Sequence, residues 1–301
     1  MTDSLRVAVI GVGRMGARMS QRLMAAGHAV TVCDPASPGV DELCAQGARR
    51  SEDAAGAAAG ADATITSLPT PDVVESVVLG PRGVLEGAAQ GSLVIDTSTS
   101  LPSLARRLAD GGRERGVAVL DAPVSGGPRG AEQGTLAIMV GGEEEAFARA
   151  LPLLETLGSV IRHMGGPGAG QATKLTNNVL AGTHMAVLAE AVALARAEGL
   201  DLSKVYEIVS HGTGDSRVLR NRYPVPGVLA DAPASRNWAP LFPVDLLAKD
   251  VALALATADE HGLSLPVAAV ALERYREAQS ADLGELDYSA VARLFEQMSD
   301  I

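Results

Sequence analysis

The stretch Gly11-Val12-Gly13-Arg14-Met15-Gly16 decides the fold. It is a G-x-G-x-x-G set between a run that reads as a strand, residues 5–10, and one that reads as a helix, residues 15–26. Alone the pattern is weak; between a strand and a helix it has a physical meaning. Gly11 permits a tight turn, Gly13 lets the backbone approach a pyrophosphate, and Gly16 lets the helix pack close to a sheet. The start of that helix offers N–H groups and a partial positive charge to phosphate oxygens. Asp34 follows the second strand-like run, residues 29–33. A carboxylate there can accept both ribose hydroxyls of an adenosine and repels a 2′-phosphate, which favours NAD over NADP. The competing reading is a glycine turn with a chance acid at a strand end; four coinciding features argue against it.

Outward from this block, short β-branched runs alternate with Ala-rich helical stretches. Strands are expected at 63–67, 93–96, 117–121, 136–140 and 160–162, and helices at 40–46, 71–78, 102–111 and 143–157. That alternation is the pattern of βαβ units in a doubly wound parallel sheet. Gly165-Gly166-Pro167-Gly168 breaks it. From there to Glu198 the chain reads as one long apolar helix, followed by helical segments at 202–211, 243–261, 266–279 and 289–297 and a Pro-rich irregular stretch over 221–240. The expected architecture is α/β over residues 1–164, then all-α over 165–301.

The composition bounds the partners. Of 301 residues, 47% are hydrophobic and 3% aromatic, so Ala, Val and Leu must fill the core. Lys plus Arg number 25 against 36 Asp plus Glu, a net charge of −11. Such a surface argues against nucleic acid, whose phosphates need cations, and against anionic membranes. Cys33 and Cys44 form neither a disulfide framework nor a zinc pair, so a reducing, cytoplasmic compartment and no metal are expected. The first apolar run, residues 7–10, is too short for a signal core or a membrane span.

Two further blocks carry possible chemistry. Asp121-Ala122-Pro123-Val124-Ser125-Gly126-Gly127-Pro128 ends a strand, and its hydroxyl and bare glycine N–H groups can hold a carboxylate; a plain loop is an equal reading. In Gly168-Ala169-Gly170-Gln171-Ala172-Thr173-Lys174-Leu175-Thr176-Asn177-Asn178, Lys174 and Asn178 are four apart and share a helix face. A lysine in a dry pocket loses ammonium stability and can trade a proton near neutrality, while a surface lysine is the bland alternative. Lys249-Asp250, among Val, Leu and Ala, reads locally as a solvated edge.

Together with Ser67-Leu68-Pro69-Thr70, Val94–Thr99, Gly134–Gly142, Pro224–Val228 and Leu246–Asp250, these blocks resemble the β-hydroxyacid dehydrogenase family, most closely its 3-hydroxyisobutyrate dehydrogenase branch. The resemblance runs along nearly the whole chain. It implies a Rossmann-like domain and a helical domain joined by one long helix, with dimers or tetramers formed through the helical domains. It implies that Lys174 is the acid/base and Asn178 its hydroxyl-orienting partner. Ser125, Gly126 and Gly127 match a substrate carboxylate clamp, and Phe242 and Asp250 match further substrate positions. The stretch from Gly11 through Val12, Gly13, Arg14 and Met15 to Gly16, with Asp34, matches the dinucleotide site, and Leu68, Pro69, Thr99 and Lys249 its nicotinamide half.

Three departures stand out. Val73 stands where the branch often has Asn, and Gly212–Arg217 stands where it often has a Ser-Ser-Gly-x-x-Trp stretch, so Arg217 replaces an aromatic. Pro35 follows Asp34 in place of the Arg usual in NADP-preferring relatives. The implied activity is NAD-dependent, reversible oxidation of a β-hydroxy acid such as 3-hydroxyisobutyrate to its semialdehyde. The alternatives are tartronate or succinic semialdehyde reduction, serine or threonate oxidation, and, in a different class, a non-catalytic dinucleotide-binding scaffold.

Overall fold

The computed structural model describes residues 4–295. Contacts divide the chain into two units, one ending at Lys174 and one beginning at Leu175.

The first unit runs β1 (Arg6–Ile10), α1 (Gly16–Ala25), β2 (Ala29–Cys33), α2 (Gly39–Ala45), β3 (Arg49–Arg50), α3 (Ala54–Ala58), β4 (Ala63–Thr66), α4 (Pro71–Leu79), α5 (Val84–Gly87), β5 (Leu93–Asp96), α6 (Pro102–Arg113), β6 (Ala118–Asp121), β7 (Val124–Ser125), α7 (Gly127–Gln133), β8 (Leu136–Gly141), α8 (Glu144–Leu154) and β9 (Gly158–Gly165). The strands form one sheet in the order β3-β2-β1-β4-β5-β6-β8-β7, with β9 paired to β8. Strands β1 to β6 are mutually parallel, whereas β8 lies antiparallel to β6 and β7. From β1 the chain winds out to β2 and β3, then crosses back to β4 and outward again. The reversal between β1 and β4 opens a crevice at the carboxyl ends of the strands, the place where doubly wound sheets bind ligands.

Helices cover both faces, so the central strands read as continuous apolar runs. Val7, Ala8, Val9 and Ile10 are each at most 3% exposed. On one face Val7 and Val9 pack with Met19 and Leu23 of α1; on the other, Ala8 and Ile10 pack with Val74 and Val78 of α4. Pro71 and Pro102 open α4 and α6, where the missing N–H costs nothing.

The helix α9 (Ala169–Ala197) begins in the first unit and opens the second. By length and composition it could cross a membrane, with mean hydropathy 1.4 over its most apolar window. The second unit continues with α10 (Leu202–Val209), α11 (Arg217–Arg222), a 3-10 turn over Pro233–Arg236, α12 (Val244–Glu260), α13 (Pro266–Ser280) and a 3-10 segment over Tyr288–Phe295. Its core gathers Met185 and Ala189 of α9, Leu247 and Val251 of α12, and Leu272 and Tyr275 of α13. The Tyr275 hydroxyl donates to the Gly182 carbonyl at 2.8 Å, fastening α13 to α9.

The α/β class and the helical second half match the expectation from sequence. Four details differ. The sheet is not wholly parallel, and two-residue strands β3 and β7 went unread because they are too short for any periodicity. The 221–240 stretch is less irregular than its prolines imply: it takes in the last two residues of α11 and a 3-10 turn. The helix expected over 289–297 is a 3-10 segment as far as Phe295, and its last two residues lie outside the described residues.

Candidate active site

The glycine block sits where β1 turns into α1. Gly11 has φ +86°, and a Cβ on it would meet the Ser67 carbonyl oxygen at 2.4 Å. A Cβ on Gly16 would fall 1.9 Å from the Gly11 oxygen. Gly13 is different: nothing lies within 4 Å of its would-be Cβ, so the backbone faces open space there. Helix α1 starts with no capping side chain and no acid in its first turn, which leaves its N–H groups for an anion. At the end of β2, Asp34 Oδ2 accepts the Val12 N–H at 2.9 Å and Oδ1 accepts the Ala36 N–H at 3.0 Å. The acid thus sits beside the glycine turn, half-buried. An open approach at Gly13, a bare helix start and an adjacent carboxylate fit the pyrophosphate and ribose of a dinucleotide.

The ends of β4 and β5 come next across the crevice. Leu68 contacts the Gly11 turn, its Cδ2 lying 3.0 Å from the would-be Gly11 Cβ, and Pro69 beyond it is exposed. The Leu68 N–H donates to Ser98 Oγ at 2.9 Å. Asp96 is buried and accepts the Thr66 hydroxyl at 2.7 Å and the Ser98 N–H at 3.1 Å. These bonds shape the turn that carries Thr99.

At the end of β6 the structure joins the Ser-Gly-Gly turn to the lysine. Lys174 is 8% exposed, and its Nζ donates to the Val124 carbonyl at 2.9 Å. Val124 precedes Ser125 in β7, and Gly126 and Gly127 follow with φ of +134° and +63°, which only glycine adopts without strain. Asp121, one strand end away, holds the start of α9: its two oxygens accept the Gly168 and Gln171 N–H groups, each at 2.8 Å. Burial pushes the Asp121 carboxyl up to about 6, with those two N–H groups pulling the other way and Asp96 adding to the rise.

In the helical unit Asn178 is 4% exposed and Asp250 2%. The Asn178 Nδ2 donates to Asp250 Oδ2 at 2.6 Å, and Lys249 Nζ stands 3.1 Å from Asp250 Oδ1. Lys249-Asp250 is therefore not a solvated edge. Phe242 belongs to another set: its N–H and that of Leu241 donate to Asp287 Oδ2, both at 3.1 Å, and its ring meets Tyr288 edge-on. Asp287, fully buried, also pairs with Arg222 at 3.3 Å. Arg217 is exposed at the first position of α11. Trp238, 8% exposed, packs internally with Ala234 and Ala290. The sequence gives no role to Gln171, Ser98 and Asp287, three buried polar residues, although the first two lie inside the Gly168–Asn178 and Val94–Thr99 blocks.

A sheet of this topology with a glycine turn at its switch point is built for a dinucleotide, and a buried amine beside a hydroxyl-bearing turn suits an oxidoreductase. Residues 6–166 match the family model described as the NAD binding domain of 6-phosphogluconate dehydrogenase. Residues 168–295 match the one described as NAD-binding of NADP-dependent 3-hydroxyisobutyrate dehydrogenase. An NAD-dependent L-serine dehydrogenase of Pseudomonas aeruginosa is 42% identical over 291 residues, 97% of this chain and 98% of the relative. A 3-hydroxyisobutyrate dehydrogenase of the same organism is 42% identical over 297 residues, 98% and 99% of the two chains. A solved structure of Mycobacterium tuberculosis 3-hydroxyisobutyrate dehydrogenase with L-serine superposes with a TM-score of 0.92 at 37% identity, covering 97% of this chain and 99% of that one. The chain belongs to the 3-hydroxyisobutyrate dehydrogenase family of β-hydroxyacid dehydrogenases. It is an NAD-dependent enzyme acting on hydroxy acids.

Proposed function

We propose that the chain oxidises a small β-hydroxy acid to its semialdehyde, reversibly, with Lys174 as the group that moves the hydroxyl proton. The observation that carries this reading is the 2.9 Å bond from Lys174 Nζ to the Val124 carbonyl, which holds a buried amine next to Ser125. The Ser125 hydroxyl and the N–H groups of Gly126 and Gly127 clamp the substrate carboxylate. Unprotonated Lys174 then accepts the hydroxyl proton at Nζ; in the reverse direction its ammonium returns that proton to the nascent alkoxide and stabilises the developing charge. Asn178, one helical turn further along α9, orients the hydroxyl, and its own amide is held by Asp250. Phe242 bounds the substrate.

When bound, NAD supplies the hydride acceptor. The stretch Gly11–Gly16 holds its pyrophosphate and Asp34 its adenosine ribose. Leu68, Pro69, Thr99 and Lys249 serve the nicotinamide half. The Rossmann-like domain is taken as residues 1–164 and the helical substrate and assembly domain as 165–301. Exposed Leu180, Val187 and Leu194, spaced by seven on α9, support a homodimer or homotetramer built through the helical domain. The site of action is the cytoplasm.

Two substrates stand first: 3-hydroxyisobutyrate and L-serine. The serine reading is favoured by the relative named for L-serine and by the solved structure that contains it. Initial rates with NAD and with NADP across a panel of β-hydroxy acids decide between them, with Arg217→Trp tested alongside. Reduction of NAD by at least one of the two is expected; no turnover of any hydroxy acid overturns the reading in favour of a non-catalytic scaffold.

A further inference from the structure

We infer that Gln171, seated on Asp121, is a positioning residue that sets Lys174 against the turn bearing Thr99, an inference that rests on the proton-transfer role proposed for Lys174. Gln171 lies in the first turn of α9 and is fully buried. Its side-chain amide spans one residue of the β5 turn. Oε1 accepts the Ser100 N–H at 2.9 Å and Nε2 donates to the Ser98 carbonyl at 2.8 Å, so the bonds bracket Thr99. Ser98 in turn holds the Leu68 N–H through its hydroxyl. The Gln171 backbone N–H is tied to Asp121 Oδ2. Lys174 follows three residues later, on the same side of the helix, and bonds Val124 just beyond β6. One helical turn is therefore fastened at two strand ends, one leading to the nicotinamide-side residues and one to the carboxylate clamp.

The chemistry fits glutamine in particular. A side chain here must both donate and accept, and a primary amide does so without charge. An apolar replacement leaves the Ser98 carbonyl and the Ser100 N–H without these partners inside the protein. The seat beneath it is also shaped for the purpose. A Cβ on Gly141 would lie 2.4 Å from Asp121 Oδ1, and one on Gly170 would lie 2.9 Å from Oδ2 and 2.5 Å from the Asp121 carbonyl. Both glycines are what allow the carboxylate so close to the helix start. Small displacements of a proton-transfer group are costly, on the order of 100-fold for about 1 Å.

A mutant cycle tests the inference. Gln171→Met should lower kcat about 10- to 100-fold, with a smaller loss of NAD affinity, read by fluorescence titration. In a Lys174→Ala background the same substitution should lower the residual turnover by less than about threefold, because the group it positions is gone. An equal loss in both backgrounds, or a wild-type kcat in Gln171→Met, overturns the positioning role while leaving Lys174 untouched. Full turnover in Lys174→Ala alone overturns instead the reading on which the inference rests. Should Gln171→Met fail to fold, Gln171→Glu carries the same cycle. It keeps an acceptor for Ser100 but sets a buried carboxylate against the Ser98 carbonyl, so a loss at least as large that again vanishes without Lys174 is expected; an equal loss in both backgrounds overturns the inference.

Discussion

Asn178 and Asp250 are locked together: the amide Nδ2 lies 2.6 Å from the carboxylate Oδ2, and both residues are buried. That bond decides which way the amide faces. With Nδ2 committed to Asp250, the Asn178 Oδ1 accepts from Asn177 at 2.9 Å. Replacing Asp250 by Ala frees the amide to turn over and leaves it short of a charged partner, a loss of about 1.5–3 kcal/mol for a hydrogen bond of this kind. A fall in kcat/KM of roughly 10- to 100-fold is expected. Steady-state rates on the hydroxy acid check it, and an unchanged kcat/KM removes Asp250 from the account.

Gly13 and Gly16 of the cradle should separate by assay. Gly13→Ala meets no atom within 4 Å, so it should fold with an unchanged Tm while raising KM for NAD. Gly16→Ala puts a methyl 1.9 Å from the Gly11 oxygen and should cost about 1–3 kcal/mol of stability. Thermal melts with and without NAD distinguish the two. Equal melting temperatures for both variants contradict the packing assigned to Gly16.

Asp34 is expected to govern cofactor choice. It already accepts the Val12 and Ala36 N–H groups, so Asp34→Asn retains one of these acceptors while removing the charge that repels a 2′-phosphate. The ratio of kcat/KM for NAD to that for NADP should fall about tenfold or more. A constant ratio takes Asp34 out of the argument.

Asp121 makes stability depend on pH. Its folded carboxyl titrates near about 6, above the ordinary 3.8, chiefly because it is buried. The native chain then keeps a proton that the unfolded chain has already released, so this contribution is present at low pH and is lost as pH rises through about 6. Asp121→Asn does not titrate. Between acid and neutral pH the parent should lose up to about 3 kcal/mol relative to the variant. Urea midpoints measured across that range report it; parallel curves contradict it.

How far the sequence spoke depended on whether a residue's role was local. Gly11, Gly13, Gly16 and Asp34 sit at a turn and a strand end, so spacing alone is enough to propose them. Lys174 and Asn178 showed themselves as a polar pair on an apolar helix, but nothing local separated them from a surface lysine and its neighbour. Leu68, Pro69, Thr99 and Phe242 came only from resemblance, because an apolar residue or a lone hydroxyl has no chemistry of its own to read. Gln171 stayed hidden since its partners, Ser98 and Ser100, are distant in sequence. Helix α7 (Gly127–Gln133) gives no helical signal in the sequence because Gly-Pro and Gly punctuate it. Lys249-Asp250 reads locally as a solvated edge because the burial of its carboxylate against Asn178 is a tertiary fact.

The proposed chemistry turns on the Lys174 amine moving the hydroxyl proton. The most direct measurement is turnover of L-serine and 3-hydroxyisobutyrate by Lys174→Ala, with NAD affinity titrated on the same protein. A loss of roughly 10²- to 10⁴-fold in kcat with NAD binding retained is the predicted result; turnover within about threefold of the parent on its preferred substrate would contradict it.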